Sequence, residues 1–330
     1  MKAARVVAAP GGGHLEILEL PVPQPGPGQV LVKVMASGLN RGEINIVRRA
    51  VSGPHLPAGV EFAGTVAALG DGVTGWKVGD RVVGHGNGGQ AEYTVAAAGA
   101  LLALPASVGW IAAAAFPNVA ITAHDALVTN GAMLTGARVL VNAASSGIGL
   151  AAMYIARALG ASLIVGTTRS PAKVAPLQAL GFEHILDVSQ EGARQRVADL
   201  TEGKGVDIVI DSVGAPAFAE NLDMLAIKGR LVNIGRMGGA LAEIDLEKLW
   251  LKRLHLIGVT FRTRTEAERI ACIQDCGRDL LPHLAAGRLD LPVDTVYPLE
   301  QIGAAHAYMA KDRHVGKIVI AVDPAAAAGA

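Results

Sequence analysis

From about residue 123 onward the chain alternates between strand-like and helix-like runs, and no other feature narrows its possible folds as far. "RVLVNAA" is an apolar strand, and "GIGLAAMYIARALG" carries apolar residues at helical spacing. "SLIVGTT", "HILDV", "VDIVIDSV", "RLVNIG" and "LHLIGVTF" repeat the strand pattern. "SPAKVAPLQALG", "EGARQRVADLTEG" and "APAFAENLDMLAIKG" repeat the helical one, with Gly at most helix ends, and one more helix-like run precedes "LHLIGVTF". This rhythm predicts βαβ units in a parallel, doubly wound, six-stranded α/β sheet.

The first 120 residues read differently. "LEILELPVP", "QVLVKVMASG", "EFAGTVAALG", "DRVVGHG" and "QAEYTVAAAG" are short apolar or alternating runs separated by Gly and Pro clusters such as "PQPGPGQ". They predict a small, strongly curved antiparallel domain. After Phe261 come an amphipathic helix over about Glu266 to Ala286, the strand "VDTVYPL", the helix "LEQIGAAHAYMAK" and the strand "GKIVIAV". Two strands and two helices are too few for a domain, so this segment is expected to return to the first one. The division expected is residues 1–122 with 263–330, and residues 123–262 between them.

Composition excludes several classes. Hydrophobic residues are 51% and charged residues 18%, which permits a large core. Lys+Arg and Asp+Glu balance at 29 each, and aromatics are only 4%; neither favours nucleic acid or an anionic membrane surface. No apolar leader follows Lys2 and Arg5, and Pro105 and Pro117 break the longest apolar stretch, which reads as core and not as a membrane span. Cys272 and Cys276 lie one helical turn apart; a bridge between them is not expected, and the natural setting is the reducing cytoplasm. The closing "AAAAGA" is expected to fray.

The first strand of the series runs into the turn of "VLVNAASSGIGLAA", residues 139–152. Backbone N–H groups and the helix dipole make such a helix N-terminus a phosphate site. The dinucleotide fingerprint Gly-x-Gly-x-x-Gly appears as Ala144-Ser145-Ser146-Gly147-Ile148-Gly149, with small residues in place of two glycines. An NAD site places an acid about 20 residues further on, at the end of the next strand. Here stand Thr168, Arg169 and Ser170, with Lys173 one turn into the following helix. A guanidinium and an ammonium there suit the 2′-phosphate of NADPH. A short-chain dehydrogenase is excluded because no tyrosine after the turn is followed by Lys four residues later.

The order of parts, with "SGLNRGEI", "PAGVEFAGTV", "GDRVVG", "AEYTV", "GKGVDIVIDSVG" and "HVGKIVI", resembles the medium-chain dehydrogenase/reductase superfamily over nearly the whole chain. It looks most like the zinc-free quinone oxidoreductase branch, the zeta-crystallin-like proteins. The resemblance implies a GroES-like β-rich catalytic domain with a Rossmann domain set into it. The zinc-ligand places of the related alcohol dehydrogenases hold Asn40, Val60 and Asn118, all poor zinc ligands, so no metal is expected.

The resemblance also implies roles. Asn40 would sit near the nicotinamide as the candidate catalytic, positioning residue, with Asn118 and Thr122 beside it. Val213, Gly214, Gly235, Phe261 and Arg262 would cap the carboxyl edge of the sheet, and Lys317 matches a Lys of the closing motif. Arg48, Arg49 and His55 fall where the family walls its substrate pocket. The implied activity is hydride transfer from NADPH to a small electrophilic acceptor, a quinone or an α,β-unsaturated carbonyl. The rivals are an enoyl-thioester reductase and an NADPH-binding sensor or structural protein with little turnover. The family pairs its last Rossmann strand across a two-fold axis, so a homodimer is expected through "LHLIGVTF".

Overall fold

The computed structural model describes residues 1–326; the expectation of a frayed tail falls mostly outside the described residues. The chain forms two compact units, Met1–Val119 with the chain from Glu266 onward, and Ala120–Thr265. The first unit opens with β1 (Lys2–Val7), β2 (His14–Glu19), β3 (Gln29–Leu39), α1 (Arg41–Arg49) and β4 (Leu56–Pro57). It continues with β5 (Glu61–Leu69), β6 (Arg81–His85), β7 (Tyr93–Ala97), β8 (Leu101–Ala103) and α2 (Trp110–Ala114), after which α3 (Pro117–His124) crosses the boundary.

The second unit holds β9 (Arg138–Val141), α4 (Gly147–Ala158), β10 (Leu163–Thr168), α5 (Val174–Ala179), β11 (His184–Asp187) and α6 (Ala193–Leu200). Then follow β12 (Val206–Asp211), α7 (Ala215–Met224), β13 (Leu225–Asn233), α8 (Leu246–Lys252) and β14 (His255–Gly258). The chain returns to the first unit as α9 (Glu266–Ala285), β15 (Val293–Pro298), α10 (Ile302–Ala310) and β16 (Lys317–Ala321).

In the first unit the larger sheet runs β15-β16-β3-β5-β6-β8, and β7 also pairs with β3. One face of the long β3 is buried: Val30, Val32 and Val34 pack with Phe62, Val82, Ile318 and Ile320, while Lys33 on the other face is exposed. Pairing is antiparallel, except that β15 and β16 run parallel. The strands of the first 120 residues pair antiparallel as expected, and the parallel pair at the C-terminal end follows from the α10 crossover between its strands. The structure adds α1 to the elements expected. "NRGEINIVRR", to which the sequence reading gave no element, is helical because Asn40 caps it and Glu43, three residues on, accepts a hydrogen bond from the Asn40 N–H.

The second unit is one parallel sheet in the order β11-β10-β9-β12-β13-β14. Its strand order reverses between β9 and β12, the switch point where open α/β sheets bind ligands at their carboxyl ends. Helix α4 is apolar nearly all round, and Leu150 to Ala156 are all buried. The last strand is shorter than "LHLIGVTF": β14 ends at Gly258, although the Val259 N–H still reaches the Asn233 carbonyl. Neither cysteine is joined in a disulfide, and both lie in α9. No helix among the described residues is long and apolar enough to cross a membrane.

Candidate functional site

In the first unit three neighbouring segments bring a set of polar side chains to one end of the sheet. Antiparallel pairing sets Ile318 opposite Leu39, which puts Lys317 beside the start of α1, while β5 pairs on the other side of β3. Lys317 and Glu61 are almost fully buried and form an ion pair at 2.7 Å. The Lys317 ammonium also donates to the Leu39 carbonyl at 3.0 Å and to Asn40 Oδ1 at 2.9 Å. Three protons thus meet three acceptors. Gly38 is required beneath this pair, because a Cβ there would collide with Glu61 Oε1 and the Ala114 carbonyl.

Asn40 is the hub of the cluster. Its Nδ2 donates to Glu61 Oε1 at 2.7 Å and to Glu43 Oε1 at 3.1 Å. Its Oδ1 accepts from Lys317 and from Asn118 Nδ2, the latter at 2.8 Å. Two donors and two acceptors fill the bonding capacity of an amide. Asn118 sits in the first turn of α3, and its own N–H donates to Glu61 Oε2 at 2.7 Å, a favourable carboxylate at a helix N-terminus. His85, at the end of β6, bonds Asn118 Oδ1 through Nε2 at 3.1 Å. Burial holds its pKa below the usual histidine value, so the ring is neutral with its proton on Nε2, where the amide oxygen can accept it.

Glu43 completes the cluster. Gln90 Nε2 donates to its Oε2 at 2.8 Å. Burial, opposed by the Asn40 hydrogen bond and reinforced by the nearby Glu61 charge, pushes the Glu43 carboxyl up from 4.5 to about 7. The folded chain therefore keeps a proton that the unfolded chain loses. This contribution to stability is complete below about pH 4.5 and is lost as the pH rises to about 7.

In the second unit the turn after β9 is held by its own side chains. Ser146 caps α4: its Oγ accepts from the Gly149 N–H at 3.0 Å and donates to the Ala143 carbonyl at 2.8 Å. A Cβ on Gly149 would collide with the Ala143 carbonyl and lie 2.9 Å from Ala144 Cα, so this glycine permits close helix–strand packing. Helix geometry leaves the Gly147 and Ile148 N–H groups without intrahelical acceptors. Next along the edge, Thr168 is buried at the end of β10 and Arg169 is exposed. Lys173 falls in a short 3-10 turn, Pro171–Lys173, and α5 begins only after it; the expectation of Lys173 one turn into the helix is corrected by the Pro171 start.

A buried carboxylate ties the remaining edge loops together. Asp211, at the end of β12, accepts from the N–H groups of Val213 and Gly214 and from Asn142 and Asn233. Asn233 also donates to the Gly235 carbonyl at 2.7 Å. Val213, Gly214 and Gly235 are thus fixed at the carboxyl ends of β12 and β13. After β14, Arg264 pairs with buried Asp125 at 2.7 Å and lies over the Phe261 ring; the neighbouring Arg262 N–H donates to Thr260 Oγ1 at 3.2 Å.

The residues singled out in the sequence therefore fall in two groups. Asn40, Asn118 and Lys317 are joined by direct hydrogen bonds in the first unit. Ala144 to Gly149, Thr168 to Ser170, Lys173, Val213, Gly214, Gly235, Phe261, Arg262 and Thr122 belong to the second. Arg48 and Arg49 lie in the last turn of α1, and they and His55 are exposed. Arg48 donates to Asn45 Oδ1 at 3.4 Å. Sequence reading passed over Glu61 and Gln90. The signal for Glu61 was a lone acid inside the apolar strand "GVEFAGTV", which demands a buried partner.

The residues at the zinc-ligand places do not fit a zinc ion. Asn40 and Asn118 offer amides already bonded to each other, and the Lys317 ammonium occupies the space beside them. Among the described residues, no three His, Cys, Asp or Glu side chains are grouped to hold a metal.

Two family descriptions match the chain: "Alcohol dehydrogenase GroES-like domain" over residues 26–106 and "Zinc-binding dehydrogenase" over residues 147–275. A mycobacterial protein solved in complex with NADPH superposes with a TM-score of 0.85 at 30% identity, covering 97% of this chain and 100% of that one. A quinone oxidoreductase from Pseudomonas syringae gives 0.84 at 31% identity, covering 97% and 100%. Among curated proteins, a mycocerosic acid synthase-like polyketide synthase of Mycolicibacterium smegmatis is 34% identical over 322 residues, covering 93% of this chain. The chain spans about 15% of the length of that relative.

Proposed function

This chain belongs to the medium-chain dehydrogenase/reductase superfamily, in its zinc-free, quinone-oxidoreductase-like branch, and we propose that it is an NADPH-dependent reductase of quinones or α,β-unsaturated carbonyls. The observation that carries this reading is the full-length likeness to a protein solved with NADPH. The local chemistry supports it. Ser146 to Gly149 would hold the pyrophosphate, and Arg169, with Lys173, would hold the 2′-phosphate where an NAD site keeps an acid. When bound, the dinucleotide supplies a hydride. Asn40, Asn118 and Lys317 keep the polar end of the β-rich unit rigid, and Asp211 holds the edge loops of Val213, Gly214 and Gly235. Phe261 and Arg262 would cap the same edge, and Thr122, one helical turn after Asn118 in α3, would lie near the nicotinamide. With the Asn40 amide fully bonded within the protein, the proton for the reduced acceptor comes from water.

A second reading, an enoyl-thioester reductase, is favoured by the polyketide-synthase relative at 34% identity. An acceptor panel followed by NADPH absorbance separates the two: turnover of quinones supports the first, and turnover of enoyl thioesters alone supports the second. NADPH binding with no oxidation by any acceptor contradicts both and leaves a sensor or structural role.

Cofactor choice has its own test. Arg169→Ala is expected to weaken NADPH binding by at least about tenfold, because a charge-assisted hydrogen bond contributes about 1.5–3 kcal/mol. NADH binding, measured by the same fluorescence titration, should hardly change. Equal loss for both cofactors removes Arg169 from the 2′-phosphate.

The expected homodimer also gains support. Strand β14 is the edge of the six-stranded sheet, and Leu241, Trp250, Leu246 and Met237 nearby in sequence are exposed, Leu241 at 93%. An open apolar edge is an aggregation hazard unless covered. Light scattering should give twice the chain mass at micromolar concentration; a monomer there contradicts the reading. A reduced, cytoplasmic setting is proposed because Cys272 and Cys276, one helical turn apart, are not joined in a disulfide.

A further inference from the structure

Two carboxyl groups share one amide and one cation in the cluster around Asn40. Glu61 and Glu43 both accept from Asn40 Nδ2, so they lie close together. The Lys317 ammonium pairs with Glu61, and its other protons go to Asn40 Oδ1 and the Leu39 carbonyl. Glu43 is left with amide partners only: the Asn40 N–H, Asn40 Nδ2 and Gln90 Nε2. Gln90 itself is fully buried, and its Oε1 has no partner. Exchanging the nitrogen and oxygen of that amide places a carbonyl oxygen 2.8 Å from Glu43 Oε2, where a carboxyl O–H can donate to it.

We propose that Glu43 keeps its proton in the working protein, donates it to the Gln90 side-chain carbonyl, and so acts as a positioning residue for the Asn40–Asn118 amide pair. With Glu43 neutral, the charges of the cluster cancel and the ammonium stays on Glu61 and Asn40. Ionisation puts a second negative charge beside the same ammonium. Lys317 is then drawn toward Glu43, and its hydrogen bond to Asn40 Oδ1 weakens. The buried setting that raises the Glu43 carboxyl to about 7 puts this change near neutrality.

The charged groups of the elements packed on α1 are engaged elsewhere. Lys2 of β1 pairs with Glu300, and Arg5 donates to the His55 carbonyl. His14 of β2 bonds Glu16 within its own strand. Arg41, on α1 itself, pairs with Asp312. His306 of α10 is held neutral by burial, its pKa lowered to about 4. His85 bonds Asn118, feels the Glu61 charge, and is held neutral by burial. Glu61 and Lys317 are the charges that act on Glu43.

The proposal rests on the reductase reading for its kinetic consequence, but not for its direct test. Infrared difference spectra of the full chain should show a protonated-carboxyl stretch near about pH 6 that disappears by about pH 8, and that is missing from Glu43→Gln. Absence of the band in the unmodified protein, or its survival in Glu43→Gln, overturns the proposal whatever the enzyme reduces. In kinetics with saturating NADPH, kcat should fall by roughly tenfold from about pH 6.5 to about pH 8.5, and by less than about threefold in Glu43→Gln. The same inflection in both proteins overturns the positioning role. Glu43→Gln keeps the size and hydrogen-bonding reach of the side chain, so a general loss of structure is told apart by its circular dichroism.

Discussion

Lys317→Met is expected to lower the stability of the protein by about 3–5 kcal/mol, because removing one member of a buried ion pair leaves the other charge uncompensated. Glu61 is fully buried, and its remaining donors, Asn40 Nδ2 and the Asn118 N–H, carry no full charge. The Leu39 carbonyl and Asn40 Oδ1 lose a donor at the same time. Urea unfolding should show the loss as a lower midpoint. Adding Glu61→Gln should recover a large part of it, since the double variant no longer buries an unpaired charge. If Lys317→Met unfolds at the same urea concentration as the unmodified protein, the pair does not hold this end of the sheet together.

Asn40→Ala is expected to lower kcat/KM by roughly ten- to a thousandfold, the range spanned by losing a positioning contact or one fixed hydrogen-bond donor. The mechanism is indirect. The Asn40 amide bonds Lys317, Glu61, Glu43 and Asn118, so its removal releases four side chains together. A group that acts by arranging others should reduce kcat more than it raises the KM for NADPH. Steady-state kinetics with one good acceptor decides this. A variant with unchanged kcat/KM shows that the amide hub is dispensable.

Much of the fold was legible because it rests on period and punctuation. Six strands with helices between them, and glycines at the helix ends, specify a parallel sheet, and β9 to β14 form one. The turn of Ser146 and Gly149 was legible for the same reason, since a cap and a close packing contact each demand a particular small residue. Helix α1 was missed because "NRGEINIVRR" is short and polar, and its start depends on a reciprocal bond between Asn40 and Glu43. The parallel pairing of β15 with β16 was missed because a crossover of one short helix looks locally like two independent elements.

The polar cluster was only half legible. Asn40, Asn118 and Lys317 stood out singly, from motifs spread over 278 positions of the chain. Their hydrogen bonds to one another are a product of strand register, which no local pattern encodes. Glu61 sat unremarked inside "PAGVEFAGTV" and Gln90 just before "AEYTV", and burial gives both their weight. Arg48, Arg49 and His55 were named only from the place where the family walls its substrate pocket; all three are exposed to solvent.

The central claim is a reductase that turns over NADPH without zinc, and it is tested most directly by one rate. Protein treated with a strong chelator, and checked by elemental analysis, should oxidise NADPH in the presence of a quinone or enoyl acceptor as fast as untreated protein. The amide pair of Asn40 and Asn118, with the Lys317 ammonium against it, gives a zinc ion no ligands to bind. One zinc per chain, removed together with the activity and restored with it, contradicts the account.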